Sequence, residues 1–241
     1  MKPPAGTAAY WDLESDQYSA VRRPSEVDHF TLDACPPLGN VLELGAGPGV
    51  FTRQLLALRA PASAGEICVT DISPRFCATL RALPVQVRCC AHQTLAMSPR
   101  SVTTAYAMAT LHHLSGRDRR DLLERLAGWL RPEGHFALVE DWAFEASTEA
   151  QARLADLRQA LRDHEAASEH HPSEATWIQD LEDAGFDLVR HAQVERRERL
   201  ERYRVLNDPT SRAHLAWLEA RPQLARVPMS VFVARAGPGG S

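Results

Sequence analysis

From Val41 to Trp142, short apolar runs alternate with stretches whose apolar residues recur at helical spacing. Val41-Leu42-Glu43-Leu44 predicts a strand that ends in glycines. Phe51, Leu55, Leu56 and Leu58 form the apolar stripe of a helix over 51–60, closed by Pro61. A second strand follows over 67–70, then a helix over 74–83 with Pro74 at its first position. Strands are predicted over 85–90 and 101–109, and an amphipathic helix over 117–130 carries Leu122, Leu123, Leu126, Trp129 and Leu130. Arg131-Pro132-Glu133-Gly134 stops that helix, and a fifth strand runs over 135–142. Strands separated by helices of this length pair in parallel through right-handed crossovers. The pattern therefore predicts a doubly wound α/β sheet, whose ligands sit beyond the carboxyl ends of the strands at the switch in strand order.

On either side the pattern changes. Residues up to Pro36-Pro37 are polar, with Tyr10, Trp11, Tyr18 and Phe30 scattered among them, and predict one or two short helices. After Trp142, a long charged helix over 145–169 carries Leu154, Leu157 and Leu161 on one stripe and ends at His170-His171-Pro172. A helix over 173–184 is closed by Gly185. A strand over 187–195 is followed by 196–204, rich in both signs of charge and read as a solvated helix face. A helix over 209–220 and a strand over 229–234 complete the chain. One large domain is expected: a helical arm over 1–37, then the main domain over 38–241 with a helical insertion at about 145–172.

Composition narrows the function only by exclusion. The 241 residues are 44% hydrophobic and 24% charged, the balance of an ordinary globular protein. A net charge of −4 argues against nucleic acid as a partner, which needs a cationic surface. Runs of about 18 apolar residues are absent, so no membrane partner is expected. Nothing after Met1 resembles the apolar core of a signal peptide, which points to a cytoplasmic location. Five cysteines without Cys-x-x-Cys spacing suggest neither a disulfide framework nor a zinc ribbon. Cys68, Cys89 and Cys90 fall in strand-like runs and read as core hydrophobes.

The strongest chemical signal is Glu43-Leu44-Gly45-Ala46-Gly47-Pro48-Gly49, a strand running through three alternating glycines into a helix. Such a turn lets backbone approach a ligand closely. A dinucleotide fingerprint would need glycine where Val50 stands, and no Gly-Lys-Ser/Thr follows for a phosphate loop. Asp71 ends the second strand, 22 residues beyond Gly49. A carboxylate there suits the two hydroxyls of a ribose, or else caps the helix at Pro74.

Glu-x-Gly-x-Gly-x-Gly followed by this acid resembles the class I S-adenosylmethionine-dependent methyltransferases of the small-molecule type. The resemblance covers about 38–142, and more loosely 173–235 through Leu181-Glu182-Asp183-Ala184-Gly185-Phe186. It implies a Rossmann-like, mostly parallel seven-stranded sheet with a helical N-terminal arm and a helical lid insertion. It implies S-adenosyl-L-methionine as cofactor, held by Tyr18, Glu43, Gly45, Ala46, Gly47, Gly49, Asp71, Ile72, Ala91, His92, Gln93, Ala107 and Met108. The acid that the family often carries after strand three is absent from Cys90-Ala91-His92-Gln93, so Gln93 or backbone at Ala91 and His92 takes its place at adenine.

The acceptor side is less explicit. Leu111-His112-His113-Leu114 after strand four resembles the family's stretch beside the transferring methyl. His112, His113 and His171 are the candidate general bases, since an imidazole titrates near neutral pH. Trp11, His113, Asp141 and His171 are the candidate acceptor contacts. Adjacent histidines rarely share one ion, and no metal is expected. The acceptor expected is a small-molecule oxygen or nitrogen nucleophile, with a non-methylating enzyme of the same fold or a cofactor-binding regulatory module as alternatives. Oligomeric state has no signature in the chain.

Overall fold

A computed structural model describes residues 7–58, 65–141, 146–165 and 170–237. The expected helix end at 59–60, its stop at Pro61, the strand end at Trp142 and the outer ends of the long helix (145 and 166–169) lie outside the described residues. The N-terminal segment forms two helices, α1 (Ala8–Val21) and α2 (Glu26–Ala34). Then follow β1 (Val41–Leu44), α3 (Val50–Leu58), β2 (Ile67–Asp71), α4 (Pro74–Leu80), β3 (Gln86–Cys89), β4 (Val102–Met108), α5 (Gly116–Trp129) and β5 (Leu130–Glu140). The rest is α6 (Glu149–Glu165), α7 (Glu174–Asp183), β6 (Phe186–Arg197), α8 (Pro209–Glu219) and β7 (Arg226–Ala236).

The sheet has seven strands in the order β3-β2-β1-β4-β5-β7-β6. β1 to β5 pair in parallel, and β7 runs antiparallel to both β5 and β6. Strand order reverses between β1 and β4, so their carboxyl ends diverge and leave a crevice there. All four residues of β1 are buried, as a central strand covered on both faces requires. One face packs Leu42, Leu44, Ala105, Phe136 and Phe232 against α5 and Trp177 of α7. The other packs Val41, Val69 and Tyr106 against Phe51, Leu55 and Leu80 of α3 and α4.

Local chemistry sets where the helices begin. Ser73, Ser115, Ser173 and Asp208 each accept the backbone N–H three residues on, with Pro74 and Pro209 at first helical positions. Ser73, rather than Asp71, is therefore the cap of α4.

Several expectations are corrected. β5 begins at Leu130, because Val102 pairs with Leu130 and Thr104 with His135 while the residues between bulge out. β6 reaches Arg197, and the segment after it is no solvated helix face: Glu198, Leu200 and Tyr203 are buried. They belong to a cap whose core unites Leu154, Leu157 and Leu161 of α6 with Leu215 and Leu218 of α8. Cys68 is buried as expected, but Cys89 is exposed and Cys90 half-buried, because β3 is an edge strand with little covering it.

α5 and α7 are joined by a buried ion pair. Arg119 donates from Nε and Nη2 to Asp180 Oδ2 at 2.7 and 2.5 Å, with its guanidinium 4.6 Å above the Trp177 ring. Removing one partner leaves an uncompensated buried charge, which is the expensive way to break such a pair. Asp180→Ala should therefore cost about 3–5 kcal/mol in denaturant unfolding. The double variant Arg119→Met/Asp180→Leu should recover most of it. A single variant within about 0.5 kcal/mol of the parent would refute the claim.

Candidate functional site

At the switch point lies a cavity of about 130 Å³. Its walls come from four strand ends and the arm: Gly45 and Gly47 after β1, Asp71 and Ile72 at β2, Cys90 to Gln93 after β3, and Met108 to Thr110 with His113 and Leu114 after β4. Trp11 and Tyr18 of α1 and Phe76 of α4 close it. Gly45, Gly47 and Gly49 all have left-handed backbones, at φ +65°, +53° and +78°, which glycine adopts without steric cost. At Gly45 a side chain is also excluded by space, since a Cβ would lie 2.2 Å from Thr110 Oγ1. Gly47 is overlaid by Tyr18, 3.6 Å from where its Cβ would be.

Asp71 is the anion of this cavity. Its Oδ2 accepts from Gly47 N and its Oδ1 from Ser73 N, both at 2.8 Å. Burial raises its pKa, and those backbone N–H groups partly offset the rise. Each oxygen keeps a further lone pair for a ligand hydroxyl. His92, opposite, is pushed down to about 4 by burial and by the nearby Arg125 charge, so it is neutral at pH 7. Its Nε2 lies 3.2 Å from Thr110 Oγ1.

Behind the β4 wall is a second cluster. Glu140, at the end of β5 and fully buried, accepts from Thr110 N at 3.1 Å and Leu111 N at 2.7 Å through Oε1. Its Oε2 lies 2.6 Å from His112 Nδ1. Asp141 contacts Arg158 of α6 and lies 3.0 Å from His171 Nδ1. Burial alone would raise the Asp141 pKa, but the charge of Arg158 and the His171 and His112 rings hold it well below the usual carboxylate range. His112 lies between the other two imidazoles, stacked on His171 at 5.2 Å and tilted by 52° against His113 at 4.1 Å between ring centres. His112, Glu140 and Asp141 offer ligand atoms within 4.8 Å of one another, a metal-like spacing. Their carboxylates are already engaged by backbone N–H groups, imidazoles and a guanidinium, so the donor set suits a cation poorly.

Of the residues expected at a ligand, eleven line the cavity: Trp11, Tyr18, Gly45, Gly47, Asp71, Ile72, Ala91, His92, Gln93, Met108 and His113. Seven do not, and the physical reasons differ. Ala107 is buried among Leu42, Phe136 and Leu138. Ala46 and Gly49 turn into the loop, where Ala46 N donates to Thr70 O and Gly49 N to Ala46 O. Glu43 points inward and accepts from Thr52 Oγ1 at 2.7 Å. Burial pushes it up to about 8, against the pull of Thr52 and Arg22. His112, Asp141 and His171 stand in the cluster behind the wall. Phe76, Cys90, Ala109, Thr110 and Leu114 also line the cavity, without being singled out by the sequence. Position offered a signal for two of them: Phe76 sits in the first turn after Asp71, and Thr110 directly follows β4.

Residues 41–134 match the model of a family described as "Methyltransferase domain". A comparison with the curated proteins gives no match. Among solved structures, the [4+2]-cyclase SpnF superposes with a TM-score of 0.68 at 15% identity, covering 99% of each chain. An S-adenosylmethionine-dependent methyltransferase from Mesorhizobium loti gives 0.58 at 19% identity, over 86% of this chain and 96% of that one. A cyclopropane synthase from Mycobacterium tuberculosis gives 0.62 at 12% identity, over 87% and 82%. At these identities the structural likeness is one of fold. The family match takes in the glycine loop, Asp71 and the histidine turn, so residues 41–134 resemble a methyltransferase domain set in the sheet that these structures share.

Proposed function

We propose that this enzyme transfers a methyl group to an oxygen or nitrogen nucleophile of a small molecule. The observation that carries the reading is the single cavity that joins the glycine loop and Asp71 to His113 and Trp11. The residues fit the cofactor: Asp71 keeps lone pairs for the ribose hydroxyls, Gly45 and Gly47 present bare backbone, and Ile72 and Phe76 offer apolar walls. In place of the acid that the family often has after β3, Gln93 and the Ala91–His92 backbone stand at the adenine side. When bound, S-adenosylmethionine supplies a methyl group activated on a sulfonium, open to in-line displacement.

The remaining work falls to orientation, exclusion of water and removal of a proton. Trp11 packs edge-on against His113 at 5.2 Å and against Tyr18 at 5.7 Å, so helix α1 roofs the cavity with aromatic rings. Of the two imidazoles on the turn after β4, His113 is the one that lines the cavity, and it is the group we assign to accept the nucleophile's proton. The aromatic roof that Trp11 and Tyr18 place over the cavity favours a small acceptor over a polymer, and the net charge of −4 disfavours nucleic acid.

Two experiments test this. Asp71→Ala should weaken S-adenosylhomocysteine binding, measured by calorimetry, by about 1–3 kcal/mol; an unchanged dissociation constant would remove Asp71 from the cofactor site. Incubation of the chain with methyl-labelled S-adenosylmethionine and a fractionated extract should place label in the low-mass fraction. There His113→Ala should lower turnover by about 10²–10⁴-fold with little change in cofactor affinity. Label on protein or nucleic acid would overturn the acceptor class. Tight cofactor binding with no transfer would instead favour a non-methylating reaction of the SpnF kind.

A further inference from the structure

Two consecutive carboxylates at the end of β5 each face one imidazole, yet they are balanced differently. Asp141 faces His171 and is neutralised by a fixed cation, Arg158 of α6. Glu140 has no lysine or arginine partner among the described residues. It is fully buried, and its partners are Thr110 N, Leu111 N and His112 Nδ1. A buried carboxylate with only neutral donors favours a positive charge on whichever of them can take one. Of these three, only His112 can.

We infer that Glu140 is a positioning residue that holds His112 with its proton on Nδ1 and makes the His112–Glu140 pair the proton-holding unit behind the cavity wall. The inference rests on the methyl-transfer reading above and deepens it. Geometry supplies both halves of the role. Through Oε1, Glu140 fixes the backbone of Thr110 and Leu111, and so the turn that carries His113 into the cavity. Through Oε2 it accepts a hydrogen bond from His112 Nδ1, which leaves Nε2 as the site for a further proton. The His112 ring then lies 4.1 Å from that of His113, close enough for the charge on one to bias protonation of the other. A proton passed from the nucleophile to His113 stays on that ring, and Glu140 offsets the repulsion that a charge on neighbouring His112 would exert on it.

Among the described residues, the groups that face His112 come from several elements. Glu140 and Asp141 come from β5, His113 from its own turn, and His171 from the segment before α7, where the backbone N–H of His170 donates to His112 O at 2.7 Å. Arg158 of α6 stands behind Asp141. His171, paired with Asp141, serves as the internal control.

The test is nitrogen-15 imidazole NMR on the full chain across pH, without acceptor. In the parent protein, neutral His112 should carry its proton on Nδ1, and its titration midpoint should lie above the unperturbed value of about 6.5. Glu140→Gln should lower the His112 midpoint by at least about one unit, a tenfold loss of proton affinity, while His171 moves far less. A parent His112 protonated on Nε2 instead, or a folded Glu140→Gln protein with an unmoved midpoint, overturns the inference. Should Glu140→Gln fail to fold, the tautomer in the parent still decides. S-adenosylhomocysteine binding, run alongside, separates the two claims: its absence would defeat the functional reading and leave the His112 measurement standing.

Discussion

The structure depends on how closely two loops meet at the switch point. The loop after β1 passes Thr110 so tightly that Gly45 has no room for a Cβ, and Thr110 is held in turn by Glu140 from a third strand. Three adjacent strand ends are thereby locked to one another at a point where the backbone is neither helix nor sheet. The lock is strained. Ala109 adopts φ +53° without being glycine, a conformation that costs of order 1 kcal/mol or more. Its N–H is nonetheless satisfied by Val139 O at 2.7 Å, so the strain persists because the neighbours determine it. With Gly45, Ala109 and Thr110 all lining the cavity, the floor of the ligand site and the tightest packing in the sheet are the same few residues.

Around that floor, buried carboxylates are handled in different ways. Asp71 is held by backbone N–H groups and stays available to a ligand. Asp141 is matched by a guanidinium and is spent on structure. For Glu43, burial outweighs the pull of Thr52 and Arg22, and the carboxyl is pushed up to about 8 while Thr52 satisfies one oxygen. Glu140 leans on two amides and an imidazole. The acids share a chemistry but not a role, because what faces each of them differs. Of these acids only Asp71 lines the cavity, so counting from the glycine loop leads to the cavity, whereas the acids at the end of β5 stand behind its wall.

Legibility in the sequence followed the range of the interaction. β1 to β4 and their helices were readable because apolar period, serine caps and prolines act within a few residues. Gly45, Gly47 and Asp71 were readable because a left-handed turn and a strand-end acid have local requirements. The residues that escaped depend on distant partners. Thr110 matters through Gly45 and Glu140, 65 and 30 positions away in the chain. Ala107 and Met108 are neighbours on one strand, yet only Met108 reaches the cavity, since successive side chains point to opposite faces. The charged stretch after β6 misled for the same reason. Glu198 looks solvated by composition, but Arg196 and Arg202 surround it, and Tyr203 donates to it at 2.9 Å. That ion cluster is invisible to a window that counts charges.

The cap explains why the cofactor side is so much plainer than the acceptor side. Its core draws on α6, on the turn over 200–205 and on α8, segments separated by a complete helix and strand of the sheet. Arg158 links this cap to the site: it contacts Asp141, whose partner His171 stacks on His112, and its charge also acts on Glu198 deep in the cap. A cofactor that all members of a fold share can be read from a loop whose geometry is set locally. The histidine turn, by contrast, meets the cap through Arg158, Asp141 and His171, contacts drawn from three separate segments. On the methyl-transfer reading, acceptor preference would then be a tertiary property, set by contacts among distant segments that a local window of sequence does not display.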